Sequence, residues 1–217
     1  MLKLYGGARS RASIVQWYLE ELGVPYEFVM LDMQAGEHRQ PEFLTINPIG
    51  KVPAIVDGDL KLWESGAILL YIDEKYGKKP TSVEQRAELT QWVLFANATL
   101  GPGIFVEANR DREMPQLMTA LNQIFQRQPF LLGSYFSVAD VAVGSILGYI
   151  PIMLKLDLSE YPAVVNYMKQ MAERSAFQKA IGSRFSWKIR VGNAHPTGSQ
   201  APSKGLSKSH SCLPYES

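Results

Sequence analysis

Apolar and polar positions alternate over residues 2–5 (LKLY) and stop at Gly6-Gly7, the pattern of a short strand ending in a turn. The period then changes. Ile14, Trp17, Tyr18, Leu19 and Leu22 recur at helical spacing behind Ser10 or Ser13, either of which can cap the helix, and Gly23 followed by Pro25 ends it. Residues 26–31 (YEFVML) read as a second strand. A single helix between two strands predicts a parallel βαβ unit. A polar stretch of weak order follows, 32–48. Two short apolar runs, 52–56 and 60–63, flank Asp57-Gly58-Asp59, the signal of an antiparallel hairpin. Ser65 opens another helix through Ile68, Leu69, Tyr71 and Ile72, closed by Gly77. The expected product is a small α/β unit with a mixed four-stranded sheet over residues 1–77.

Residues 78–84 read as a linker. From there to 186 the period is helical throughout, with helices expected at 83–98, 114–126, 137–148 and 162–181, so the second domain, 85–186, is all-α. Gly101-Pro102-Gly103 is expected to interrupt a helix and open a cleft. Ser137-Val138-Ala139-Asp140 forms a capping box ahead of an apolar run, the serine accepting from an amide of the helix start and the aspartate reaching back. Its expected role is in folding. From 187 to 217 the chain is rich in Gly, Ser, Pro and Lys and reads as a disordered tail, holding Cys212 and the isolated His195 and His210.

Composition narrows the function classes. The 217 residues are 46% hydrophobic and 20% charged, enough to bury a core. Lys+Arg 22 against Asp+Glu 21 leaves a net charge of +1, without the basic footprint of a nucleic-acid binder. One cysteine excludes an intramolecular disulfide, a Cys-x-x-Cys pair and a cysteine-rich zinc site, so no metal is expected. No apolar run approaches the roughly 20 residues of a membrane span, and the start does not read as a signal peptide. The expected compartment is the cytoplasm, with no membrane partner.

Candidate chemistry gathers at 47–72, NPIGKVPAIVDGDLKLWESGAILLYI. Pro53 at a strand mouth cannot join a ladder. A cis bond before it would turn the backbone N–H and C=O of Val52 outward, where an extended peptide can dock. Glu64-Ser65 stands at a strand-to-helix junction, where a hydroxyl and the first helix amides can hold a carboxylate. Taken singly, Ser65 reads as a helix cap and Pro53 as a turn residue.

Taken together, this stretch resembles the signature of the glutathione transferase family, and the resemblance, with the Ser137–Asp140 box, covers about residues 1–184. It implies a thioredoxin-like N-terminal domain, an all-helical C-terminal domain and a homodimer. Through it, Val52 pairs its backbone with the cysteinyl unit of glutathione, placed by cis Pro53. Glu64 meets the γ-glutamyl amine, Ser65 the carboxylate, Lys51 the glycyl end, and His38 matches a histidine used nearby by several classes. The charges suit an anion that carries one ammonium.

The thiol must also ionise, and lowering its pKa from about 8.5 by two units takes roughly 2.7 kcal/mol of preferential thiolate stabilisation. The first turn, Tyr5 to Ser13, holds no cysteine, which points away from cysteine-type members that act as thiol reductases. Ser10, donating a hydroxyl at a helix start with Arg9 assisting, is the favoured activator; Tyr5, in the tyrosine-type position, is the other candidate. The turn loosely resembles that of the cyanobacterial chi-type branch. Trp92, Phe95, Phe105, Asn109 and Met114 are available to wall an apolar second-substrate pocket, although a place in the helix core is at least as good a reading for each, and none is taken as a site residue. The expected activity is conjugation of glutathione, as co-substrate, to small hydrophobic electrophiles in detoxification. The alternatives are peroxidase, isomerase or dehalogenase chemistry at the same site, or a non-catalytic binding protein.

Overall fold

The computed structural model describes residues 1–77, 82–154 and 156–182. The greater part of the expected linker (78–81) and the whole expected tail (187–217, with Cys212, His195 and His210) lie outside the described residues.

The alternation of β1 (Leu2–Gly6) sends Leu2 and Leu4 into the core and leaves Lys3 and Tyr5 half-covered on the opposite face. It pairs in parallel with β2 (Tyr26–Met30) and antiparallel with β3 (Ala54–Asp57), which forms the expected hairpin with β4 (Leu60–Trp63). The sheet order is β2-β1-β3-β4. Gly58, at φ +62, supplies the left-handed turn position. The crossover helix α1 (Ala12–Leu22) ends on Gly23 at φ +64, with Val24 N–H donating to Leu19 C=O at 3.0 Å. Neither expected cap takes the N-cap position, which Arg11 holds without a side-chain hydrogen bond; Ser10, one residue ahead, accepts from Ala12 N–H at 3.3 Å, and Ser13 lies inside the helix. The polar stretch after β2 is more ordered than its composition suggests. Asp32 accepts from the amides of Gln34 and Ala35, and a 3-10 turn (Glu37–Arg39) leads into the one-turn α2 (Pro41–Leu44). Helix α3 (Ser65–Tyr76) follows β4.

The helical part departs from the sequence reading in its boundaries. Helix α4 (Val83–Leu94) starts on a Ser82–Gln85 capping box and runs into a π-turn (Phe95–Leu100), then α5 (Gly101–Phe105). Gly101-Pro102-Gly103 therefore does not interrupt the helix. The widened turn ahead of Pro102 absorbs its missing N–H and the bulk of its ring. The break comes at Val106, which is extended (φ −83, ψ 113), and there the chain turns by 118° into α6 (Glu107–Phe125). The first seven residues of α6 carry no apolar stripe, which hides that start from the sequence; Arg110 Nε secures it by donating to Ile104 C=O at 2.7 Å. Helix α7 (Val138–Met153) is buried from Val138 through Gly148. Asp140 accepts from the amides of Ser137 (2.9 Å) and Leu131 (3.0 Å) and from the Tyr167 hydroxyl (3.1 Å). Burial nonetheless raises its pKa, outweighing those donors. The single helix expected at 162–181 is two, α8 (Pro162–Ala172) and α9 (Ser175–Ala180), because Arg174 is extended and its side chain grips Glu21.

Helices α1 and α3 pack between the sheet and the helical part, where α4, α7 and α9 meet them. One continuous buried cluster runs from Leu2 to Ile181. Among the described residues no single helix is long and apolar enough to cross a membrane.

Candidate active site

Three chain segments converge at one side of the sheet. In the first, the Val52–Pro53 bond is cis, and the β1–β3 register ends at Tyr5–Ala54, so the backbone of Val52 lies beyond the ladder. The buried Asn47 holds this loop from within, its Nδ2 donating to Lys51 C=O at 2.6 Å and its Oδ1 accepting from Ile49 N–H at 3.0 Å. Gly50, at φ +66, passes so close to the 37–39 turn that a Cβ would meet His38 C=O at 3.0 Å. His38 and Lys51 thus belong to one loop cluster. The Nδ1 of His38 is buried and, among the described residues, has no hydrogen-bond partner.

The second segment is the start of α3. Glu64 occupies the position before the helix at φ 72, ψ 117, and Ser65 is its first residue, so Ser65 is not a simple cap. The first helical hydrogen bond runs from Ile68 N–H to Glu64 C=O at 2.9 Å, leaving the amides of Ser65, Gly66 and Ala67 ahead of the ladder. Ser65 is buried and its Oγ donates to Asn97 Oδ1 at 3.4 Å. Asn97 sits in the π-turn and is anchored by Nδ2 to Val93 C=O at 2.8 Å. Its approach requires Gly66, where a Cβ would meet Asn97 Nδ2 at 2.9 Å. A π-turn at a point of function is a recurrent device.

The third segment is the turn after β1. Ser10 Oγ accepts from Gly7 N–H (3.0 Å) and donates to Gly7 C=O (3.0 Å), so its proton is held by the turn. The next residue, Arg11, donates to Asn97 Oδ1. Its pKa is lowered because burial outweighs the attraction of Tyr149 and Glu64. Ser13 Oγ shares a hydrogen bond of 2.7 Å with the Tyr149 hydroxyl on α7.

A cleft of about 660 Å³ opens here, lined on one side by residues 8–11 and Ser13 and on the other by Asn97, α5 and the end of α7. Arg9 and Ser10 line it. Tyr5 does not: it lies on the sheet face where its ring meets Phe43, centroids 5.8 Å apart. Of the five residues available to wall a second-substrate pocket, Phe105 lines this cleft. Trp92 and Phe95 instead line a separate hollow of about 370 Å³ with Leu117 and Ile124, and Asn109 and Met114 line neither. The helix break at Val106, rather than at the glycines, sets Phe105 at this cleft. Arg11, Asn97 and Tyr149 escaped the sequence reading, since no local motif marks them; the Gly-Pro-Gly after Asn97 is the one hint of an irregular helix. Among the described residues no group of three or more His, Cys, Asp or Glu could hold a metal ion.

The model of the glutathione S-transferase N-terminal domain matches residues 1–74, and that of the C-terminal domain matches 105–184. The chain belongs to the glutathione S-transferase family. Its sheet with flanking helices is the thioredoxin-like domain of that family, followed by the helical domain. It is 31% identical over 204 residues to the disulfide-bond oxidoreductase YfcG of Escherichia coli, covering 83% of this chain and 94% of that protein. It is 30% identical over 209 residues to glutathione S-transferase F10 of Arabidopsis thaliana, covering 83% and 91%. The crystal structure of the Phanerochaete chrysosporium glutathione transferase URE2P6, in complex with oxidized glutathione, superposes with a TM-score of 0.74 at 30% identity over 84% of this chain and 96% of that one. The chain is a glutathione transferase by fold and by sequence.

Proposed function

We propose that the chain conjugates the thiolate of glutathione to small electrophiles presented in the 660 Å³ cleft. The observation that carries this reading is the meeting of two binding elements, the Val52 backbone beyond the ladder and the Glu64-Ser65 helix start, beside a largely apolar cleft bordered by Ser10. Val52 N–H and C=O pair with the cysteinyl backbone, positioned by Pro53. Glu64 takes the γ-glutamyl ammonium, while Ser65 and the leading amides of α3 take its carboxylate. Lys51 and the unpartnered His38 Nδ1 face the glycyl end. The thiol proton leaves to solvent. Ser10 turns its hydroxyl from Gly7 C=O to the sulfur, and Arg9 adds positive charge, so the thiolate is favoured. The sulfur lone pair then forms a C–S bond while the leaving group departs, or while an adjacent carbon takes a proton from water. Residues 1–77 form the glutathione-binding unit in this scheme and 85–186 supply the second-substrate wall.

A second reading is glutathione-dependent disulfide exchange, favoured by the likeness to a protein named a disulfide-bond oxidoreductase and to a structure holding oxidized glutathione. The thiolate attacks a disulfide sulfur, forms a mixed disulfide and expels a thiolate that is protonated. A second glutathione resolves the mixed disulfide to oxidized glutathione and a free thiol. The cysteine-free first turn is compatible with this, because both reacting thiols come from glutathione. We also infer a cytoplasmic homodimer, the hollow at Trp92 and Phe95 being the uncovered apolar face for the second copy.

Ser65→Ala is expected to raise KM for glutathione at least tenfold with kcat nearly unchanged, and the wild type to be retained on immobilised glutathione and eluted by the free tripeptide. An unchanged KM, or no retention, removes this site. Parallel assays with a chloronitroarene and with 2-hydroxyethyl disulfide separate the two readings.

A further inference from the structure

The cleft holds a positive charge that the glutathione cradle does not use. Its walls are apolar, from Pro102 and Phe105 to Ile146, Ile152 and Met153, yet Arg9 and Arg11 both line it and no aspartate or glutamate does. None of the cradle residues (His38, Lys51, Val52, Glu64, Ser65) lines it. Among the described residues neither arginine forms a salt bridge. Arg9 is already given a part in holding the thiolate, so Arg11 is the surplus cation. Its guanidinium donates to the neutral Asn97 Oδ1, and the charge of Glu64 reaches it only through longer-range attraction. A guanidinium has five N–H donors, so most of its capacity is left for a ligand.

Asn97 aims that capacity. Its own anchor on Val93 and the close packing over Gly66 fix the acceptor that Arg11 uses, so the exposed Arg11 is tethered beside the cleft it lines. An apolar wall with a positioned guanidinium that no salt bridge engages is complementary to an amphiphilic anion, and a carboxylate suits the planar fork in two parallel hydrogen bonds. We propose that the second substrate carries a carboxylate, which Arg11 binds while its apolar body lies along α5 and α7. This rests on the transferase reading above and names the class of compound the cleft selects. Arg11 is a specificity residue, separate from activation of the thiol.

The test compares 4-chloro-3,5-dinitrobenzoate with its methyl ester. They undergo the same displacement: a C–S bond forms, the C–Cl bond breaks and chloride leaves. After division by the uncatalysed rates, kcat/KM is expected to favour the acid at least tenfold, mainly through KM. Arg11→Gln is expected to bring that ratio close to one, Arg11→Lys to keep part of it, and added salt to lower it. The matched disulfides, 3,3′-dithiodipropionate and 2-hydroxyethyl disulfide, give the same comparison for exchange chemistry. Turnover of the neutral compounds without preference for the acids overturns the proposal and leaves the transferase reading intact. So does a preference that Arg11→Gln leaves unchanged. If none of the four is turned over, calorimetric binding of the acid's glutathione conjugate against its methyl ester decides: tighter binding of the acid, lost in Arg11→Gln, upholds the carboxylate site while the activity fails, and equal binding overturns it.

Discussion

Among the described residues, Glu64 is the non-glycine residue with positive φ, at 72°. A side chain there costs about 1–3 kcal/mol, and strain of this kind persists where surrounding structure enforces it. The neighbours that enforce it are Ser65, buried as the first residue of α3, and the last ladder pair of β4, Trp63 with Ala54. The proposed γ-glutamyl end is held at this strained residue and the first amides of α3. Replacement by glycine separates structure from binding. Glu64→Gly is expected to be at least as stable as Glu64→Gln, reversing the usual penalty of glycine. Both variants are expected to raise KM for glutathione tenfold or more. Urea denaturation beside steady-state kinetics reads the two effects, and a glycine variant weaker than the glutamine variant by more than about 1 kcal/mol would show that this backbone is unstrained.

The hairpin and α3 reach the site as one piece because of Asp57. Its Oδ2 accepts from the hydroxyls of Tyr71 (2.9 Å) and Tyr76 (2.6 Å) and from Lys75 Nζ (2.7 Å), tying the end of β3 to the last two turns of α3. Burial pushes the carboxyl pKa up, but the three donors prevail and it lies below its ordinary value. A depressed folded value means that the folded state binds fewer protons. The stabilisation is therefore complete above the unfolded pKa of about 3.9 and is lost as pH falls through the folded value beneath it. Asp57→Asn is expected to cost about 1–3 kcal/mol near pH 7, with the gap in Tm closing as pH is lowered from about 5 to 2; parallel curves for the two proteins would remove Asp57 from this role. The same element shows how far the sequence could be read. Asp57-Gly58, the alternation of β1, the glycine stop of α1 and the Ser137–Asp140 box are local patterns, and each produced its element. Glu64, Ser65, Val52 and Pro53 were grouped only through the resemblance to the glutathione transferase signature, since singly they read as a cap and a turn. The π-turn at 95–100 and the extended Arg174 were not legible, because each is decided by a partner distant in the chain, Ser65 and Arg11 for Asn97 and Glu21 for Arg174, and the break at Val106 was hidden by the lack of an apolar stripe at the start of α6.

Across the whole molecule the two domains named by sequence share a single interior. Helix α1 belongs to the first, but its outer face is covered by α7 and α9 of the second. Trp17 is fully buried between them, its ring perpendicular to Phe177 with centroids 4.9 Å apart and tilted against Phe136 at 6.0 Å. Its Nε1 donates to Glu21 at 2.8 Å, and Glu21 also accepts two hydrogen bonds from Arg174, whose guanidinium lies 3.7 Å from the centroid of Phe136. Aromatic packing and a paired charge close the same seam, so neither side can open without exposing Trp17 and stranding Glu21. The cleft depends on this seam as well, since one of its walls is the turn before α1 and the other is α5 and α7. Unfolding is accordingly expected to be one cooperative transition, with calorimetric and van't Hoff enthalpies in agreement. Phe177→Ala removes the ring that α9 sets against Trp17 and is expected to cost about 3–5 kcal/mol while keeping a single transition, with far-UV and near-UV circular dichroism melting together. Two separated transitions in the wild type, or a Phe177→Ala variant that loses only the helical signal of the C-terminal half and keeps the sheet folded, would show that the domains are stable apart and that the cleft is a contact between independent units.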